Sequence, residues 1–425
     1  MICGQNLLLE RLMKKTDTDK YYETYDYNSR RPVFVELETL REDQQKRLME
    51  SKYFCMIPWT HIHGFPTGEA YPCCLAEMAH PIGNMRENTL EEIWNGEAYT
   101  QIRENMLAEK PCKECTRCYE QEAQGFFSMR NSHNKHFGHH VYKVDQGTRP
   151  DFQINYWDIR FSNQCNLKCR SCGPMFSSLW YDDHVKMHGQ APNHKRIEWA
   201  GRNKTDIWEQ MIPHIDHIEQ IYFAGGEPLI MQEHYNILKE LVRRERFDVK
   251  LIYNTNFNET TYKDLDVLDY WKLFDSVSVG ASLDASGARA ELMRKGSDWD
   301  KTVRNRIRML TVCPNVDFYI SPTVSLMNVQ HVMDFHRAWV DMGLLKAQDL
   351  NVNVLQSPDW YRVDCLPEKM KQDITAKLEE HISWLDPKDH LQRATNGFRS
   401  TISFMNNQDN TKHLKKFNSV TAQLD

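Results

Sequence analysis

The chain has 425 residues, with 53 Lys and Arg against 59 Asp and Glu, for a formal net charge of −6 at pH 7. That balance leaves no bulk basic field for nucleic acid, and no run approaches the roughly 18 uninterrupted apolar residues of a membrane span. Charged residues at 26 % and apolar residues at 40 % exclude wholesale disorder, and the length accommodates two or three domains of about 150 residues.

In chain order, residues 1–51 are polar and charged and read as an N-terminal arm, with a helix-like stretch at Leu37–Leu48. Residues 1–10 lack a basic n-region and their three leucines stop at Glu10, so no export signal is read there. Residues 52–130 hold a group of cysteines among Pro, Gly and Trp, with a helical segment, Leu90–Leu107, between its two halves. Residues 131–153, including the run from His133 to His140, read as a connector. From 154 the pattern changes to short strand-like runs alternating with helical stretches. The strand candidates are Trp157–Phe161, Gln220–Ala224, Val249–Asn254, Ser276–Ser282, Phe318–Val324 and Leu350–Leu355. The helix candidates are Met175–Met187, Met231–Arg244, Thr261–Leu273, Trp299–Thr311 and Val329–Met342. Strict alternation implies parallel βα units with right-handed crossovers, curled into a sheet or an open barrel. In such folds the chemistry sits at the C-terminal ends of the strands. This core spans 154–356, and residues 357–425 follow as a mostly helical region whose clearest helix is Glu368–Leu385.

Nine of the twelve cysteines fall in two groups, Cys55 to Cys118 and Cys165 to Cys172, while Cys3, Cys313 and Cys365 stand alone. Twelve are too few for a disulfide framework of this length. Clustered thiols read instead as metal or cluster ligands in a reducing compartment, with the cytoplasm as the expected location. The second group, Cys165-Asn-Leu-Lys-Cys169-Arg-Ser-Cys172, directly follows the first strand of the alternating region. Three thiolates on one tight loop bind three irons of a [4Fe–4S] cube, whose four-cysteine form needs a fourth. No fourth cysteine is near in sequence, so one iron is left open to an external ligand, the mark of a catalytic site. A zinc site lacking one ligand, or unliganded core cysteines, are the competing readings. After the second strand comes Ala224-Gly225-Gly226-Glu227-Pro228, where adjacent glycines let backbone approach a ligand closely.

The two motifs, in this order and after strands one and two, resemble those of radical S-adenosylmethionine enzymes. The resemblance implies an α/β fold with a partial (β/α)6 barrel, Cys165, Cys169 and Cys172 as cluster ligands, and S-adenosylmethionine as cofactor. It implies that Gly225, Gly226, Glu227 and Pro228 meet the methionine amino group of that cofactor. Further contacts implied are Asn254 near the ribose, Ser282 and Asp284 at the end of the fourth strand, and Arg294 toward a carboxylate. Ser171 departs from the aromatic residue common before the third cysteine. The chemistry implied is reductive cleavage of the cofactor to methionine and a 5′-deoxyadenosyl radical, which takes hydrogen from a substrate. An electron donor such as a flavodoxin or ferredoxin is the implied partner. The substrate is expected to be a peptide or protein side chain, with a small molecule as the alternative within the enzyme class. A zinc- or cluster-stabilised binding protein without turnover is the alternative outside it.

The first cysteine group, Cys55, Cys73, Cys74, Cys112, Cys115 and Cys118, offers six thiols where one cube takes four. A zinc-ribbon-like site also suits paired cysteines. The layout resembles a twitch (half-SPASM) auxiliary-cluster module placed ahead of the core rather than after it. The resemblance implies a second [4Fe–4S] cluster on Cys55, Cys73 and two of the last three. Cys115 with Cys118 is favoured by the Tyr-Glu-Gln-Glu that follows; Cys112 and Cys74 are the alternates. His61-Ile-His63 and the histidines between 133 and 140 read as solvated loop residues rather than metal ligands.

Overall fold

The computed structural model describes residues 39–191 and 195–424. The greater part of the N-terminal arm, including Cys3 and the stretch read as carrying no export signal, lies outside the described residues. The described residues form two compact units: one takes those up to Ile159 together with Ala200–Ile221, the other those between Arg160 and Trp199 and from Tyr222 onward. Among the described residues no helix is long and apolar enough to cross a membrane.

In the first unit, strand His61–Gly64 runs parallel to Tyr156–Ile159, which runs parallel to the start of Gln220–Phe223. On its other side His61–Gly64 pairs antiparallel with Glu69–Tyr71, and that strand with Gly83–Asn84. This pairing explains why the division differs from a boundary at residue 154: the first strand of the alternating region takes its partner from the cysteine-rich module. The helical segment expected at 90–107 is two helices, Leu90–Trp94 and Glu97–Leu107, broken at Asn95-Gly96. The first opens with a capping box, in which the Thr89 hydroxyl accepts from the Glu92 N–H and Glu92 reaches back to the Thr89 N–H. Arg103 is wholly buried. Its guanidinium donates to the carbonyls of Pro58, Trp94 and Thr148 and lies 4.6 Å and 4.4 Å from the Trp94 and Tyr99 ring centroids. A buried cation is tolerated because Nε and Nη1 are hydrogen-bonded and two aromatic faces lie against the guanidinium.

The connector expected at 131–153 is packed structure: helix Met129–Phe137 followed by a 3₁₀ turn series, Gly138–Gln146. His61, His63, His133, His136 and His140 are all buried. The expectation of solvated loop histidines is therefore corrected. His61 and His63 stand in a strand whose four residues are all buried, and the others face inward from the connector helices.

In the second unit, Lys250–Thr255, Val277–Ala281 and Asp317–Ile320 form a parallel sheet. Thr323–Val324 pairs in parallel with Asn353–Val354, and Ile320 bridges in parallel to Leu350. Helices Gln232–Arg243, Trp299–Val312 and Val332–Asp341 connect the strands, close to the positions expected from sequence. Trp299–Val312 starts at Asp298, whose carboxylate accepts from the Lys301 N–H at 2.8 Å. The helix expected at 261–273 is correct only from Val267 to Trp271. Before it, Thr261–Tyr262 and Leu265–Asp266 form a tight hairpin around Lys263, which adopts φ 56°. Glu368–Leu385 is a helix throughout, followed by Arg393–Asn407 and Leu414–Leu424.

The last helix has a definite seat. Val420 and Leu424 pack on Trp180, beside Cys172, Met187 and Trp360. The Trp180 indole N–H donates to the Cys169 carbonyl at 3.0 Å, and Lys295 Nζ donates to the Leu424 carbonyl at 3.0 Å. The C-terminal helix and the second cysteine loop thus share one small apolar cluster. Trp180→Ala is expected to lower the free energy of unfolding by about 3–5 kcal/mol, the usual cost of truncating a buried tryptophan. Guanidinium titration followed by circular dichroism measures it.

Candidate functional site

Cys165, Cys169 and Cys172 lie on the loop leaving strand Tyr156–Ile159, and the loop is fastened at many points. Cys169 pairs across a short antiparallel ladder with Arg294, and the Arg170 N–H donates to the Met293 carbonyl. The Ser177 hydroxyl donates to the Leu167 carbonyl at 2.7 Å, and the Leu167 N–H points at Cys165 Sγ, 3.5 Å away. The glycine turn is fastened to the same loop: the Gly226 N–H donates to Ser162 O and the Glu227 N–H to Gln164 O, at 3.2 Å and 2.8 Å. Gly225 adopts φ 126°, and a Cβ on Gly226 would fall 2.0 Å from the Gln164 carbonyl oxygen. Only glycine allows that approach, so the two motifs are one structural unit.

Between them opens a cavity of about 270 Å³. All three thiols of the loop line it, with Gly225, Gly226, Glu227, Asn254, Ser282 and Arg294. Two residues expected at the cofactor do not reach its wall. Pro228 is buried at the start of a 3₁₀ turn, and Asp284 lies beneath the wall, 1 % exposed, holding Arg294. Arg294 Nε and Nη2 meet the Asp284 carboxylate at 2.9 Å and 3.0 Å, while Nη1 points at Cys169 Sγ, 3.5 Å away. Asp284 also accepts from the Thr323 N–H at 2.8 Å. The guanidinium therefore carries its counter-charge from the protein and presents one N–H edge to the thiol.

Glu227 is fully enclosed. It accepts from the Thr255 hydroxyl and the Asn256 N–H, each at 2.7 Å, and from the Leu229 N–H at 3.1 Å. Burial pushes its carboxyl up to about 7 against the pull of those donors. Burial likewise raises all three thiols, Cys172 to about 12, with Arg294 opposing the rise at Cys169. Asn254 donates to the Tyr222 hydroxyl. Thr255 and Asn256, in the Asn254-Thr-Asn256 stretch that the resemblance brings toward the ribose, also line the cavity. Sequence reading missed Arg160, Phe176 and Thr323, which line it too. Arg160 directly follows the first strand and Thr323 follows the fifth. Strand-end position alone would have found these two.

In the first unit, Cys55, Cys73, Cys115 and Cys118 surround a single apolar cavity with Arg130 and His133. Helix Met129–Phe137 sets the position of Cys55. Asn134 accepts from the Met56 N–H at 2.8 Å and donates to the Phe54 carbonyl at 3.0 Å. Arg130, paired with Glu122, donates to the same carbonyl at 2.7 Å. The two alternates are not on the cavity's wall: Cys74 is exposed, and buried Cys112 has its thiol 3.6 Å from the Ile102 carbonyl and in contact with Cys115. Burial raises Cys55 to about 12 and raises Cys73 and Cys118. Cys115 is raised first by its hydrogen bond to Cys112, which is lowered by the same contact. A coordinated metal ion deprotonates such thiols outright. In donor chemistry the residues present fit iron–sulfur clusters at both places, four thiols at one and three at the other.

Residues 55–119 match the SPASM family model, described as an iron-sulfur cluster-binding domain. Curated proteins include no match. Solved structures similar to the chain include native anSMEcpe with bound AdoMet, at 20 % identity over 54 % of this chain and 58 % of that one, TM-score 0.37. Another is SuiB of Streptococcus suis bound to S-adenosylmethionine, at 13 % identity over 69 % and 62 %, TM-score 0.38. TYW1 with a lysine-pyruvate adduct bound matches at 13 % identity over 55 % and 71 %, TM-score 0.28. The chain spans less than two thirds of the length of the first two. The matched segment holds all six cysteines of the first group, so residues 55–119 are similar to an iron-sulfur cluster-binding domain.

Two substitutions probe this construction. Gly226→Ala forces the turn off the Gln164 carbonyl and is expected to cost about 1–3 kcal/mol and to lower the iron bound by the second unit. Thermal melts and iron assay read both. Asp284→Asn leaves the buried Arg294 charge without its partner and is expected to cost about 3–5 kcal/mol, whereas Asp284→Leu with Arg294→Met recovers most of it. Denaturant titration of the single and double variants makes the comparison.

Proposed function

We propose that the chain binds S-adenosylmethionine at the cavity between the cysteine loop and the glycine turn and uses it to abstract hydrogen from a substrate. In this reading Cys165, Cys169 and Cys172 hold a [4Fe–4S] cluster whose fourth iron receives the cofactor. Cys55, Cys73, Cys115 and Cys118 hold a second cluster. When bound, the reduced cluster and S-adenosylmethionine together supply methionine and a 5′-deoxyadenosyl radical. The single observation that carries the reading is three thiols and a Gly-Gly-Glu turn on the wall of one open, polar cavity.

The chain's own residues bind and orient. The glycine turn offers backbone at close range. Ser282 and Asn254, at strand ends, offer a hydroxyl and an amide on the cavity wall. Arg294, fixed by Asp284, sets the electrostatics at Cys169. The parallel strands of the core are read as a partial barrel, and the cytoplasm as the location. A flavodoxin or ferredoxin is the proposed electron donor. A peptide or protein side chain is the proposed substrate, with a small molecule as the alternative.

The test is anaerobic reconstitution followed by dithionite and S-adenosylmethionine. The expected result is a brown protein with about eight irons per chain that releases 5′-deoxyadenosine. Cys169→Ala is expected to abolish release, while Cys74→Ser and Cys112→Ser keep the iron count. A colourless zinc protein without release would contradict the proposal. Deuterium transfer into 5′-deoxyadenosine from labelled peptides, and not from small molecules, supports the substrate class.

A further inference from the structure

A second set of ligating side chains lies in the first unit, apart from every cysteine. His139 and His140 are consecutive in the Gly138–Gln146 turn series, and Glu219 immediately precedes strand Gln220–Phe223. His139 Nε2 is 2.9 Å from Glu219 Oε2, and His140 Nε2 is 2.7 Å from Oε1. The three offer one ligand atom each within 4.8 Å of one another. The backbone holds Glu219 in place, its N–H donating to the Asn155 carbonyl at 2.9 Å.

Both imidazoles turn Nε2 to the one carboxylate, His139 with hydrogen-bond geometry and His140, 7 % exposed, as an ion pair at 2.7 Å. Two ring nitrogens and two carboxylate oxygens thus converge on one point, and each nitrogen becomes an electron-pair donor once its proton is given up to a cation. The neighbouring cation does not fill that role: Lys143 Nζ is engaged by Asn155 Oδ1 and the Gln153 carbonyl. Tyr142 brings its hydroxyl within 3.5 Å of His140 Nδ1, on the far side of the ring from Nε2.

We propose that His139, His140 and Glu219 form a site for one divalent cation of the zinc class, clamping the 138–146 segment to the residue that opens strand Gln220–Phe223. Two imidazoles and one carboxylate are an established zinc donor set. Bonds of about 2.0–2.2 Å in a tetrahedron set donors about 3.3–3.6 Å apart, so the pairs seen here open by about 0.5 Å on binding. His139 and Glu219 are 34 % and 37 % exposed, which gives the ion a route in and leaves a fourth position for water. The His61, His63 and Asp158 group has comparable spacing but is wholly buried at all three members, and offers no such route.

The test uses the full chain, purified without oxygen and loaded with iron. It is exposed to zinc chloride and desalted, then examined by elemental analysis and zinc-edge X-ray absorption. The expected result is one zinc per chain with nitrogen and oxygen neighbours at about 2.0–2.1 Å and no sulfur. Glu219→Gln, which conserves shape, and the His139→Ala/His140→Ala double variant are each expected to bind zinc at least roughly 10-fold more weakly with iron unchanged. The proposal is overturned if the wild-type chain retains no zinc, if Glu219→Gln retains as much, or if the zinc sits on sulfur at about 2.3 Å.

Discussion

The approach of Gly226 to the Gln164 carbonyl is the contact on which the second unit's site depends. It brings a turn after one strand into register with the cysteine loop after another, and no residue larger than glycine permits it. Once that contact is made, the N–H groups of Gly226 and Glu227 are consumed by the loop. The Glu227 carboxyl is then drawn into the interior, where Thr255 and Asn256 meet it. Three strand ends are thereby joined through one buried residue, by its backbone on one side and its carboxyl on the other. The cavity is what remains between them.

Electrostatics in this interior follow from burial. Enclosed thiols resist ionisation, and an enclosed guanidinium requires a partner. Asp284 supplies that partner and is in turn held by Thr323, so a chain of contacts runs from the fifth strand's end through Arg294 to Cys169. A carboxylate placed below the cavity wall acts on the site through Arg294, the residue it fixes. The C-terminal helix adds to the same arrangement from outside, since Trp180 joins it to the loop through both packing and a hydrogen bond.

Much of this was legible in sequence where the signal is local. The spacing of Cys165, Cys169 and Cys172 and the adjacent glycines mark their loops without knowledge of any distant residue. Strand and helix alternation after 220 was read well because apolar periodicity is strong there. The failures have tertiary causes. Which of six thiols face one cavity depends on Arg130 and Asn134, more than ten residues beyond the last cysteine. His61 and His63 looked like loop residues because polar side chains in a four-residue strand break the apolar pattern by which strands are recognised. The interruption at Asn95-Gly96 was visible as a turn dipeptide and was outweighed by helical periodicity on both sides. The pairing of Asp284 with Arg294 was not read because a strand-end carboxylate gives no sign in sequence of whether it faces the cavity or supports it.

The central claim is that the three-thiol loop leaves one iron for an external ligand. Mössbauer spectroscopy of the iron-57 protein, with and without S-adenosylmethionine, tests it most directly. The account predicts that one iron of one cluster changes its parameters when the cofactor is added while the second cluster's spectrum stays as it was. Identical spectra in the two samples, with every iron already fully coordinated by side chains, would contradict it.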